Sequence, residues 1–204
     1  MNIGFDIDGV LTDFEKFVAT YGCKFLKTTI KNIKISQIND DDIAEMFNCD
    51  LDTEEEFWNE YIKVYCTEYS ARLGLAEVMT ELRKNHSIII ITNRSAAMVP
   101  MDTMISWVKG WLEKEKIPYD KIVFNHGSKL QACLDNKIDV MIEDSPKHIK
   151  ELSQYMNCIC FDSHYNTECE GENIRRCYSS YDLYEHIREI ELSGAVTALG
   201  ATIA

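Results

Sequence analysis

The residues in this chain best equipped for chemistry are carboxylates. Asp6 and Asp8 stand two apart in Phe5-Asp6-Ile7-Asp8-Gly9, directly after the apolar stretch Ile3-Gly4-Phe5. Residues two apart in extended chain point the same way, so both acids would face one site. Gly9 lets the chain turn there and offer backbone N–H groups to a phosphate. Asp144, preceded by Glu143, follows a second apolar run, Val140-Met141-Ile142. Carboxylates gathered without a cation repel one another and resist ionising together. A hard divalent cation removes that conflict, and Mg²⁺ prefers oxygen ligands and keeps some of its waters. Taken alone, Asp-x-Asp-Gly is more commonly a simple turn. Its position after one strand-like run, with Asp144 after another, favours a site.

Other groups fall at equivalent positions. Thr92 ends the run Ile88-Ile89-Ile90-Ile91 and is followed by Asn93. A hydroxyl and an amide there could donate to phosphoryl oxygens, although either residue would also serve as a helix N-cap. Lys129 opens a helix after Gly127-Ser128. A cation is poorly placed at a helix N-terminus, and local misfits of this kind mark functional positions; the ordinary alternative is a surface lysine.

The elements that must position these groups alternate. Strands are predicted at Asn2 to Asp6, Ser87 to Thr92, Lys121 to Phe124, Asp139 to Ile142, Asn157 to Phe161 and near Arg175 to Tyr178. Helices are predicted between them: about Leu75 to Lys84, Met101 to Glu115, from Gly127-Ser128, after Pro146, and Tyr181 to Leu192. Such alternation gives an α/β fold, a doubly wound, Rossmann-like parallel sheet with helices on both faces. Ligands of such sheets bind beyond the carboxyl ends of the strands, where Asp6, Asp8, Thr92, Asn93, Lys129, Glu143 and Asp144 all fall. Residues 14–72 break the alternation. Phe14, Phe17, Val18, Tyr21 and Phe25 have helical spacing, and a helix is expected after Asn39. Thr53-Glu54-Glu55-Glu56 reads as a capping box, with Thr53 as cap and Glu56 reaching back, opening a helix that carries Phe57, Trp58, Tyr61, Ile62 and Tyr65. This segment is expected to form a helical cap inserted after the first strand, with residues 1–13 and 73–192 as the core and 193–204 as a tail of no clear period.

Composition narrows the function. A chain of 204 residues holds one α/β core and a small insertion. Net charge is -13 and no basic cluster is present, which disfavours a polynucleotide partner. Met1 leads into a strand without a basic start and apolar core, so no secretory signal is expected. No apolar run approaches membrane-spanning length. The eight cysteines show no paired CxxC framework, which favours free thiols in a reducing cytoplasm. Cys158-Ile159-Cys160 near His164 reads as small core residues, since a structural zinc needs four well-spaced ligands.

With these residues in view, a resemblance is plain. Phe5-Asp6-Ile7-Asp8-Gly9-Val10-Leu11-Thr12-Asp13 resembles the first motif of the haloacid dehalogenase superfamily. Ile91-Thr92-Asn93 is similar to its second, Lys129 to its third, and Ile142-Glu143-Asp144-Ser145-Pro146 to its fourth. The resemblance implies a Mg²⁺-dependent phosphomonoester hydrolase. Asp6 would be the nucleophile and a metal ligand. Asp8 would be the general acid and base, and a metal ligand through its backbone carbonyl. Gly9, Thr92, Asn93 and Lys129 would hold the phosphoryl group; Asp144 would bind the metal, with Glu143 acting through water or as a supporting partner. Within the superfamily the chain is most similar to the 5'(3')-deoxyribonucleotidases and their bacterial relatives. Its short helical cap, Ser106-Trp107-Val108-Lys109-Gly110-Trp111-Leu112 and Ile117-Pro118-Tyr119-Asp120-Lys121-Ile122 carry that likeness. Asn93-Arg94 departs from the pattern that follows the second-motif threonine.

The implied substrate is a small phosphorylated metabolite, a nucleoside monophosphate. Phe57 and Trp58, adjacent on one helix, point about 100° apart, so one could stack on a base while the other packs in the cap; aromatic residues at helical spacing more commonly all bury. Three other readings compete: a phosphatase for another small ester such as a sugar phosphate, a phosphotransferase, and a non-catalytic binding protein on the same fold. The last has little use for Asp8.

Overall fold

The structure is a computed structural model that describes residues 1–27, 46–94 and 99–201. Six strands form one parallel sheet: β1 (Asn2–Phe5), β2 (Ser87–Thr92), β3 (Lys121–Phe124), β4 (Val140–Glu143), β5 (Asn157–Phe161) and β6 (Ile174–Cys177), in the order β3-β2-β1-β4-β5-β6. The strands that lie inside this order are almost wholly buried, while the edge strands β3 and β6 are mostly half-buried. Alternate residues divide between two cores, as a period of two requires. Ile3, Phe5, Ile88, Ile90, Val140, Ile142 and Ile159 belong to one, and Ile89, Ile91, Met141 and Cys158 to the other.

Core helices cover both faces. In chain order the helices are α1 (Phe14–Phe25), α2 (Leu51–Thr67), α3 (Leu75–Leu82), α4 (Met101–Lys114), α5 (Lys129–Asp135), α6 (Pro146–Leu152) and α7 (Ser180–Ala201). Leu75 and Met79 of α3, Val108 and Trp111 of α4, and Leu183 and Ile187 of α7 pack on the first face; Ala132 and Cys133 of α5 and Leu152 of α6 pack on the second. Pro146 starts α6, where its missing N–H costs nothing. The last helix runs on to Ala201, so much of the expected tail continues α7. None of the helices among the described residues is long and apolar enough to cross a membrane.

The segment between β1 and α3 contributes α1 and α2, which meet through aromatic rings. Phe17 packs against Tyr65 at 4.5 Å between ring centroids, and Phe14 stacks on Trp58 at 6.0 Å. The two chain passages joining this layer to the sheet pair at an antiparallel bridge between Thr12 and Ala71. The capping box expected at Thr53 is corrected: α2 starts earlier, and the Asp50 carboxylate caps it by accepting from Thr53 N at 2.9 Å. Glu56 is exposed on the surface of the helix. The helix expected after Asn39 lies outside the described residues.

Candidate active site

Strand order reverses direction between β1 and β4, and this is where doubly wound sheets open a crevice. Register brings Phe5 beside both Ile90 and Ile142, and Asp6 N donates to Ile142 O at 3.1 Å. Asp6 therefore leaves its strand next to Glu143 and Asp144. The chain then makes one wide turn over Ile7–Leu11, in which Gly9 adopts φ +75°. Thr12 closes the turn: its N–H and hydroxyl both donate to Ile7 O, at 3.0 and 3.2 Å. Arg72 donates to Gly9 O at 2.8 Å from the other chain passage.

Four expected residues converge here. Lys129 Nζ, although it starts α5, turns inward and is almost wholly buried. It lies 2.9 Å from Asp6 Oδ1 and donates to Glu143 Oε2 at 2.6 Å. The misfit at the helix start is thus a buried ammonium between two carboxylates. Carboxylate oxygens of Asp6, Glu143 and Asp144 lie within 4.8 Å of one another. Burial pushes the Asp6 carboxyl up to about 8, and the negative charges of Glu143 and Asp8 add to this against the opposing pull of Lys129. Burial alone would lower the Lys129 ammonium, but Asp6 and Glu143 outweigh it and hold Lys129 protonated.

Asp8 has a different partner. Arg94 grips it as a fork: Nε reaches Oδ1 and Oδ2 at 3.1 Å each, and Nη2 reaches Oδ1 at 2.6 Å. Burial would raise the Asp8 carboxyl, yet the Arg94 charge and hydrogen bonds hold it below the usual carboxylate range. Thr92 is fully buried and its Oγ1 accepts from Arg94 N at 3.2 Å, which leaves its hydroxyl proton to donate. It caps no described helix, since α4 starts at Met101 after Pro100. Asn93 is exposed and its Oδ1 accepts from Asn125 at 2.9 Å. It stands apart from the carboxylate cluster's own contacts.

The acidic cluster fits a divalent cation. Three buried acids face one ammonium, and Asp6 Oδ1 is buried with no partner but that ammonium. Oxygen-only donors suit a hard ion such as Mg²⁺. The two oxygens of Glu143 are already engaged, Oε2 by Lys129 and Oε1 by the N–H groups of Asp144 and Ser145 at 3.3 and 3.1 Å. Asp6 and Asp144 are therefore the better direct ligands. Cysteines play no part in this cluster: Cys158 and Cys160 are buried core residues.

Several site residues carry no sequence signal. Tyr165 donates its hydroxyl to Asp144 Oδ2, and Asn166 Nδ2 donates to Asp144 O at 2.8 Å. Both belong to a stretch after β5 with no motif or period. Arg94 was visible only as a departure from a pattern. Tyr65, read as one of a stripe of cap aromatics, sends its hydroxyl to Thr12 Oγ1 at 2.6 Å and lays its ring 4.9 Å from the Arg94 guanidinium carbon. On α2, Phe57 is 1% exposed, so of the two adjacent rings it is the one that packs inward, with no face left for a base. Trp58 is half-buried beside Phe14 and Phe17.

Known proteins resemble this chain over most of its length. The family model described as 5' nucleotidase, deoxy (pyrimidine), cytosolic type C protein matches residues 1–191. A nucleotidase of Clostridium acetobutylicum is 27% identical over 186 residues, spanning 90% of this chain and 92% of that one. Among solved structures, a haloacid dehalogenase-like family hydrolase from Xanthomonas campestris is similar with a TM-score of 0.62 at 11% identity, covering 97% of this chain and 94% of that chain. A haloacid dehalogenase-like protein of unknown function from Agrobacterium tumefaciens gives 0.57 at 19% identity, covering 93% and 98%. At such identities the structural likenesses speak for the fold alone.

Proposed function

The chain belongs to the deoxy (pyrimidine), cytosolic type C 5'-nucleotidase family, hydrolases of the haloacid dehalogenase superfamily, and from that membership we propose that it is a Mg²⁺-dependent phosphomonoesterase for (deoxy)ribonucleoside 5'-monophosphates. The observation that carries this reading is the placement of Asp6 at the sheet's reversal point, 2.9 Å from the Lys129 ammonium and within 4.8 Å of the other two acids.

In the proposed reaction an Asp6 carboxylate oxygen attacks phosphorus in line. The bond from phosphorus to the ester oxygen breaks, and Asp8, which must carry a proton for this step although Arg94 favours its carboxylate, passes that proton to the oxygen so the nucleoside leaves as an alcohol. Asp8, now a carboxylate, takes a proton from water as the water oxygen attacks the aspartyl phosphate. The Asp6–phosphorus bond breaks and inorganic phosphate leaves. Two displacements replace one difficult step, and proton transfer of this kind contributes roughly 10²–10⁴-fold. Lys129 and the Thr92 hydroxyl hold the phosphoryl oxygens, while the space a side chain on Gly9 would fill is taken by the Asp144 carboxylate. A divalent cation held by Asp6, Asp144 and the Asp8 backbone carbonyl, with Glu143 in support, would offset negative charge on the transferring group and keep Asp6 ionised. The half-buried Trp58 supports base recognition from the cap, in line with the family's nucleotide substrates.

A panel of phosphate esters at fixed Mg²⁺, with and without a chelator, tests the reading. Nucleoside monophosphates should lead and the chelator should abolish turnover, as should Asp6→Asn. A sugar phosphate that surpassed every nucleotide tenfold in kcat/KM, about 1.4 kcal/mol of transition-state preference, would replace the nucleotide assignment.

A further inference from the structure

We infer that Arg94 is a positioning residue that holds Asp8 for the second half of the reaction, the hydrolysis of the aspartyl phosphate, and that the cap steadies it through Tyr65. This rests on the proposed role of Asp8 above.

Among the described residues, the Arg94 side chain has one hydrogen-bond acceptor, Asp8, and spends three contacts on it. Its remaining nitrogen, Nη1, is buried and unbonded. A buried guanidinium committed to one carboxylate does little for the fold that an apolar side chain of similar volume could not do. It does a great deal for the orientation of that carboxylate, because a planar fork fixes both the position and the plane of its partner. Asp8 needs such help: its side chain, carried on the Ile7–Leu11 turn, is about one-third exposed. Arg94 itself is held on two sides. Its backbone N–H bonds to Thr92 Oγ1, and the Tyr65 ring of α2 covers the guanidinium face.

The geometry selects the step. Nitrogen donors on both Asp8 oxygens complement a carboxylate, the state Asp8 enters once its proton has gone to the departing alcohol. In that state it must accept a proton from water while the water oxygen bonds to phosphorus and the Asp6–phosphorus bond breaks. A carboxylate free to rotate would be misplaced for that transfer, and misplacement of about 1 Å can cost on the order of 10²-fold.

The test uses p-nitrophenyl phosphate, whose leaving group departs without a proton from Asp8. Arg94→Ala should release a burst of nitrophenol approaching stoichiometry with enzyme, then turn over on the order of 10²-fold more slowly than wild type. Acid quenching should trap a phosphoryl group on Asp6, seen by mass. Added guanidinium at sub-denaturing concentration should restore part of the steady rate. Arg94→Lys, which keeps charge but lacks the fork, should show a smaller version of the same burst and covers the case in which the alanine variant does not fold. Slow turnover without burst or trapped phosphoenzyme in either variant, or an undiminished rate, overturns the inference. Asp8→Asn separates the two readings. If it also fails to accumulate phosphoenzyme, the proposed role of Asp8 falls; if it accumulates while the Arg94 variants do not, only the role of Arg94 falls.

Discussion

Gly9 and Asp144 share a space that admits no additional atom: a Cβ on Gly9 would lie 1.6 Å from Asp144 Oδ2. The turn after the first strand and the end of the fourth are packed against each other through this contact. Gly9→Ala would meet both that overlap and φ +75°, which costs an L-residue about 1–2 kcal/mol by itself. Asp144 must move aside. The expected result is a loss of stability of at least about 1–2 kcal/mol in urea unfolding and a fall in activity on the order of 10²-fold. A fully active Gly9→Ala enzyme would show that Asp144 has no fixed part in the site.

Lys129 lies between two buried carboxylates, so its removal leaves charge without compensation. Lys129→Met should cost about 3–5 kcal/mol, measured by denaturant unfolding without divalent cation. Adding Glu143→Gln to that variant should recover part of the loss, since one of the stranded charges goes with it. Equal stability of the single and double variants would mean the Lys129–Glu143 contact at 2.6 Å contributes nothing.

Tyr165 should matter through Asp144. Its hydroxyl orients an acid proposed to bind the cation, and groups that support metal ligands in this way are commonly worth about 10–100-fold in metal affinity. Tyr165→Phe should therefore raise the Mg²⁺ concentration for half-maximal activity by that factor and change the rate at saturating Mg²⁺ little. A lowered plateau with an unchanged midpoint would place the hydroxyl's role elsewhere.

The acid limb of stability should report Asp120. Its carboxylate accepts from Arg83 Nε at 2.9 Å and from Ile88 N at 2.8 Å, and these bonds hold it below the ordinary carboxylate range against weak desolvation. A group whose pKa falls on folding stabilises the native state above its unfolded value and loses that contribution as pH drops through the folded one. Asp120→Asn should thus be less stable than wild type at neutral pH, by less than about 1 kcal/mol for so exposed a pair. The gap should close below about pH 4. Thermal unfolding from pH 7 to 3 measures it, and a gap that stayed constant with pH would assign the loss to packing.

Each part of the fold was legible to the degree that its signal was local. The β2 strand is a run of Ile residues buried on both faces, and the alternation of Ile88 and Ile90 with Ile89 and Ile91 between two cores follows from the strand period. Edge strands were less sharply bounded: β6 starts at Ile174, one residue before the expected start, because half-buried residues leave a weaker pattern. The α2 start was misread because Asp50 and Thr53 are both good caps, and which one serves depends on where the chain enters the helix.

What the sequence determined by itself is the order of strands and helices and the chemistry offered at the strand ends, because burial on one or two faces imposes a period on nearby residues and each acid follows its strand directly. Tertiary structure alone decided the partners. Asp8 and Arg94 are 86 positions apart, and Asp144 and Tyr165 are 21 apart; nothing periodic links such pairs. They meet because β1 lies beside β2 and β4 beside β5 in the sheet, bringing together the segments that follow these strands by three-dimensional packing that no local pattern encodes.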